Sequence, residues 1–174
     1  MFGQAEDLFL AILRDYFAHR PDITVRERYA EGMTLPLIVP THRNRAGVVG
    51  YMNPHDRWLR SAIMEVSTFM DGPDRDQMNG YLQEACRHAL FDAQERQIEY
   101  PGIGVINQIQ GGTYARPEND WATTTHAVQY AKLPNNVSRY ETTYRLLVRP
   151  STTFVNPFLT TTEGPNRPPK QTEG

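Results

Sequence analysis

The sequence predicts an α+β fold: a one-sided, mostly antiparallel sheet with two helices packed on one face, plus an extended C-terminal arm. Three observations predict it. Residues 57–70 alternate, with Ala62, Met64 and Val66 apolar in one set and Leu59, Ser61, Ile63, Glu65, Ser67 and Phe69 mixed in the other. That is the pattern of a long, partly buried strand. The breaker cluster Asp71-Gly72-Pro73-Asp74 follows, and then Met78, Tyr81, Leu82, Ala85, Ala89 and Leu90 fall at helical spacing as one apolar stripe. Residues 139–149 alternate again. Tyr140, Thr142, Tyr144, Leu146 and Val148 take one side, and Glu141, Thr143, Arg145, Leu147 and Arg149 the other. One apolar and one charged face fit an antiparallel sheet covered by helices on one side only. By the same alternation Glu65 lies opposite Met64 and Val66, where a surface acid would sit.

Residues 4–19 predict the first helix. Leu8, Phe9, Ile12, Leu13, Tyr16 and Phe17 form its apolar face, Glu6 and Asp7 lie in its first turns, and Pro21 ends it. Residues 23–28 alternate as a short strand with Ile23 and Val25 inward. Residues 35–39 are a second strand, short or on an edge because Pro36 and Pro40 cannot donate to a ladder. Residues 41–54 read as a loop or weak hairpin. The main helix continues through Ala93 towards Gln97, and residues 103–110 alternate as a strand ended by Gly111-Gly112. Residues 113–138 form the least regular internal stretch, and a connection of that length is uncommon unless it works or folds by itself. Pro150 closes the domain, 1–150. Residues 151–174 form a Thr-, Pro- and Asn-rich arm, expected to be either a flexible tail or an arm ordered against a partner.

Composition narrows the function. The 174 residues suit one domain, and 39% hydrophobic residues is below the ~45–50% of ordinary globular chains. A net charge of −2 makes long-range attraction to nucleic acid weak. A single cysteine, Cys86, excludes a disulfide framework within one chain. No apolar run approaches the ~20 residues of a membrane span, and the N-terminus has no signal-peptide pattern, which points to cytoplasmic assembly or function.

No catalytic constellation, metal site or cofactor motif stands out. The five histidines are scattered, with no zinc-binding spacing, and no phosphate loop or nucleophile elbow is present. Asp56 and Glu65 are the one pair that a magnesium-dependent nuclease could use, but Ser67 stands where such sites usually carry lysine. Asp71, Asp74 and Asp76 are better explained as turn and cap residues than as a calcium loop. What remains reads either as partner contact or as a solvated hairpin tip, a loop pinned to its own domain and a flexible tail. Tyr114, Trp121 and Tyr130 are aromatic candidates for an interface, and Phe154 and Phe158 beside Pro157 are candidate anchors on a neighbour. His42, Arg43 and Arg45 form a positive loop with no adjacent acid, a candidate lumen or partner contact.

The order helix, two strands, long strand, helix, two strands resembles the tail terminator proteins of long-tailed bacteriophages. The likeness is carried by Ala5-Glu6-Asp7-Leu8 with Leu13 and Phe17, by Ile23-Thr24-Val25, Leu35-Pro36-Leu37-Ile38-Val39 and the strand from Ala62 to Phe69, and by residues 140–149. It covers residues 1–150. The resemblance implies a non-enzymatic virion protein of the tail–neck region, assembled in the host cytoplasm. Such subunits close into a ring, expected as a hexamer, that caps the tail tube and ends its polymerisation. The implied partners are copies of itself, the major tail tube protein and a head-side connector or stopper, with DNA passing through the lumen without sequence-specific binding and no membrane. Other head–tail joining proteins, a head-completion or stopper component, are the structural alternative.

Overall fold

A strand as long as residues 57–70 needs neighbours on both sides along its length, and the chain supplies them from both termini. The computed structural model describes residues 5–30, 32–43, 52–53, 56–117 and 136–153, with the backbone alone at 52–53 and 56–58. The order is α1 (Ala5–Tyr16), β1 (Thr24–Val25), β2 (Leu37–His42), β3 (Met52–Asn53), β4 (Asp56–Met70), α2 (Arg75–Glu95), β5 (Gly104–Gly112), β6 (Arg116–Pro117) and β7 (Ser138–Pro150). The sheet runs β1-β2-β4-β7-β5, with β3 along β4 and β6 along β7. Only β1 and β2 pair in parallel. The predicted α+β class and its mostly antiparallel sheet are therefore observed.

Register fixes the two faces. Met64 pairs with Tyr144 and Val66 with Thr142, so alternate residues of β4 and β7 meet on one side. There Ala62, Met64, Val66, Tyr144, Leu146 and Val148 pack with Leu8, Phe9, Ile12 and Leu13 of α1 and with Leu82, Cys86, Ala89, Leu90 and Ala93 of α2. Both helices thus lie on one face, as predicted.

The structure corrects three local expectations. First, β2 is not an outer edge along its whole length, since β1 covers Leu37 and Ile38, but beyond them no described strand pairs that side, and the edge expected of Pro40 holds there. Pro40 is tolerated because β1 has already ended. Its last bond to β2 is Arg26 N–H to Ile38 O, so the side on which Pro40 lacks a donor faces no strand.

Second, α2 is turned from the predicted stripe: Met78 and Tyr81 are exposed, whereas Asn79 and Gln83 are buried. Asn79 Nδ2 donates to Thr68 O at 3.2 Å and Ser138 O at 3.1 Å, and Gln83 Nε2 donates to Val66 O at 2.9 Å and Tyr140 O at 3.1 Å. The two amides thus staple the carbonyls of β4 to those of β7. The amide nitrogens are well satisfied, and Asn79 Oδ1 also accepts from the Thr68 hydroxyl, which offsets the cost of burying these polar groups. Asn79→Ala removes the bonds it donates to Thr68 O, Ser138 O and Ser138 Oγ and is expected to cost about 2–3 kcal/mol in a urea unfolding titration. A loss below ~0.5 kcal/mol, the range of neutral surface changes, would contradict the staple.

Third, Glu65 does lie opposite Met64 and Val66, but it is not a surface acid: it is 3% exposed. The face away from the helices also carries a small apolar cluster of Leu37, Val39 and Phe69, against which Tyr29, Met33 and Leu35 pack. Tyr29 meets Phe69 with ring centroids 5.0 Å apart.

Candidate functional site

Helix side chains cap the free margins of the sheet. At one margin Glu6 of α1 accepts His42 N–H at 2.8 Å, and Arg14 Nε reaches Val25 O at 3.4 Å. At the other, Gln94 Oε1 of α2 accepts Ile109 N–H at 2.7 Å, while Gln97 Nε2 donates to Ile106 O at 3.2 Å. The ladder between β5 and β7 is also broken by register shifts at Ile106/Gln108 and Ile109/Gly111. Caps and bulges both discourage strand addition. Partners are left with side-chain surfaces.

One such surface is a cleft of about 590 Å³ between α2 and the end of β5. Arg87 and Phe91 of α2 stand on one wall, with the guanidinium 5.5 Å above the ring and paired to Glu84 at 2.7 Å. Ile109 and Tyr114 stand on the other, and Tyr114 is 96% exposed. Gly112 has to be glycine here, because a Cβ would run into Thr143 O of the neighbouring strand. Gln83 and Tyr144 also line the cleft and are buried. Gln83 Oε1 and the Tyr144 hydroxyl have no hydrogen-bond partner among the described residues. Burial holds the Tyr144 phenol well above its ordinary pKa, so it stays protonated and able to donate. The Thr142 hydroxyl opposes that shift but does not reach it in hydrogen-bond geometry.

The second feature is a buried charge cluster on the opposite face. Arg139, 2% exposed, donates through Nη2 to Glu141 Oε2 at 2.7 Å and to Ser67 Oγ at 3.1 Å, and lies 3.5 Å from Glu65 Oε1. Half-exposed arginines flank it: Arg43 Nε is 3.9 Å from Glu65, and Arg116 Nη2 is 3.7 Å from Glu141. Burial, and then the Glu65 carboxylate beside it, push the Glu141 pKa up to about 7 against the pull of Arg139 and Arg116.

No protein-family model and no curated protein matches this chain. The candidate residues are therefore located by geometry alone. Tyr114 stands at the rim of the cleft. His42 ends β2 with its N–H on Glu6, and Arg43 reaches over the sheet to Glu65 and to Thr143 Oγ1 at 3.4 Å. The acid that Arg43 lacks in sequence is thus supplied across the ladder. Arg45, Trp121, Tyr130, Phe154 and Phe158 lie outside the described residues. Asp56 and Glu65 are nine positions apart on one continuous strand, roughly 30 Å along it, too far to share one metal ion. The sequence reading missed Gln83, Arg139 and Glu141 and took Glu65 for a surface acid. The alternation of opposite charges at Arg139 and Glu141 was the one local sign of the cluster.

Residues 151–153, past Pro150, stay packed on the domain. Glu99 accepts Ser151 Oγ at 2.6 Å, Thr152 N–H at 2.6 Å and Thr152 Oγ1 at 2.7 Å, and these bonds hold its carboxyl below the usual range. Gly102 N–H donates to Thr153 Oγ1 at 2.9 Å. The root of the C-terminal segment is thereby fixed beside the start of β5.

Proposed function

We propose that this chain is a structural subunit of a closed ring, expected to be hexameric, that terminates a bacteriophage tail tube and joins it to the head connector. The observation that carries the reading is the element order. With the two-residue strands β3 and β6 set aside as lying off the main run of the sheet, the chain goes helix, two strands, long strand, helix and two strands, with both helices on one face, which is the order expected of tail terminators. The capped margins support it indirectly. A ring subunit needs two different surfaces that meet each other, and bare strand edges would instead permit open-ended stacking. Tyr81 and Met78 on α2 and Tyr114 at the cleft are exposed large apolar groups available for such surfaces. Tail tube protein, head connector and lumenal DNA are the proposed neighbours of that ring.

Native mass spectrometry of the purified chain is the first test, with a six-fold species expected. Electron microscopy of virions is the second, with density for this chain expected at the head–tail junction. A monomer at all concentrations, together with no density at that junction, would overturn the proposal.

A further inference from the structure

We infer that the helix-free face of the sheet is the surface that meets duplex DNA, with Arg43, Arg116, Arg145 and Arg149 on its phosphate backbone; the inference rests on the reading above for the presence of DNA and assigns it a surface. Register places the four arginines together. Ile63 of β4 pairs with Arg145 of β7, and Arg43 N–H bonds to Ile63 O on the other side, so Arg43 and Arg145 flank Ile63 across the sheet. Arg149 follows Arg145 at even spacing on β7, and Arg116 of β6 pairs with Glu141 on the same face. All four are exposed.

Their charge is not cancelled where they stand. Among the described strand residues of this face the carboxylates are Glu65 and Glu141, both buried against Arg139. With the Glu141 pKa pushed up to about 7, the cluster adds little negative potential at neutral pH. Glu99 lies close enough to feel Arg149, but its carboxylate is taken up by Ser151 and Thr152. Exposed acids lie on the other layer instead, at Asp7 and Asp15 of α1 and at Asp76 and Glu95 of α2. A net charge of −2 therefore conceals a basic face, and a polyanion is favoured at the sheet over the helices.

The chemistry of the face selects a duplex. Unpaired bases need exposed aromatic rings to stack on. Phe69 is buried, and the exposed Tyr16, Tyr81 and Tyr114 belong to the helices and to the turn between β5 and β6. Both helices pack on the opposite side, so no helix enters a groove and the contacts go to phosphates without sequence preference. Two strand spacings separate Arg43 from Arg145, about 10 Å, and four residues separate Arg145 from Arg149, about 13 Å. The major groove is about 12 Å wide, so neighbouring guanidiniums can hold phosphates on its two sides.

Fluorescence anisotropy of a labelled mixed-sequence duplex with the full chain tests this. Binding on the order of micromolar is expected at low salt, with log K falling against log salt at a slope of about −3, near −0.9 for each phosphate neutralised. Arg145→Gln with Arg149→Gln should flatten that slope by about 2 and weaken binding roughly tenfold at about 50 mM salt. Both side chains are exposed, so the urea midpoint should not move. Arg87→Gln with Arg96→Gln, exposed on the helix side, changes the net charge equally and should leave the slope as it is. Equal losses in both variants would reduce the effect to net charge and overturn the assignment. So would no binding at low salt, or tighter binding of a single strand of the same length. Poly-glutamate competing as well as unlabelled duplex would make an acidic protein the partner and overturn it too. Light scattering on the same samples separates this face from the ring. A ring that binds no duplex overturns the face and leaves the ring standing. A monomer that binds duplex through Arg145 and Arg149 keeps the face and removes the ring.

Discussion

Arg139→Met is expected to destabilise the fold by about 3–5 kcal/mol, lowering the thermal midpoint by roughly 6–20 °C. Methionine keeps much of the volume and removes the charge. Glu65 and Glu141, 3% and 5% exposed, would then face each other with, among the described residues, Arg43 and Arg116 nearby, at 3.9 and 3.7 Å and half in water. A charge left buried after its partner is removed loses hydration and gains nothing in return, and that asymmetry sets the size of the effect. It also predicts a rescue. Adding Glu65→Gln and Glu141→Gln to Arg139→Met removes the stranded charges and should recover part of the loss, a coupling readable from a multiple-mutant cycle. Guanidinium unfolding that places Arg139→Met within ~0.5 kcal/mol of the parent would remove the cluster from the account of stability. The cluster also ties Arg43, at the end of β2, and Arg116, on β6, to the two central strands. Its integrity therefore bears on any surface formed where those segments leave the sheet.

Period-two alternation made the central strands legible. Ala62, Met64 and Val66 face the helices because a strand has no other way to present them, and Tyr144, Leu146 and Val148 follow by register. The face of α2 was harder to read. Hydropathy assigns the core side to Met78 and Tyr81, but Asn79 and Gln83 occupy it because strand carbonyls offer second lone pairs that only the folded sheet positions. The stripe Asn79, Gln83, Cys86, Leu90, Ala93 keeps helical spacing, and its polar start disguises it. Glu65 was placed on the correct face but given the wrong environment, since its burial depends on Arg139, 74 positions away in sequence. The caps Glu6, Arg14 and Gln94 on the helices, and Gln97 just past α2, are invisible for the same reason: each is an ordinary polar residue until the sheet margin arrives beside it.

Glu141 should make stability depend on pH in the unusual direction for a carboxylate. Its pKa is raised from 4.5 to about 7, first by burial and then by Glu65, so between those values the folded state binds more protons than the unfolded chain. The stabilising contribution is complete below about pH 4.5 and is lost as pH rises through about 7. At pH 8 the folded chain holds an ionised carboxylate that it would rather hold neutral. Glu65, Arg139 and Arg116 face the group, so the protons belong to the cluster as much as to one residue. A full shift of that size corresponds to about 3 kcal/mol, and sharing among these groups reduces it to about 1–3 kcal/mol. Glu141→Gln keeps an acceptor for Arg139 but cannot titrate. It should therefore be offset from the parent by one amount at pH 5 and a more favourable one at pH 8, and the difference is the contribution of this site. Other carboxyls titrate in both proteins and cancel in that comparison. Urea midpoints at the two pH values measure it, and parallel pH profiles for parent and variant would show that Glu141 ionises in the folded chain as it does in the unfolded one.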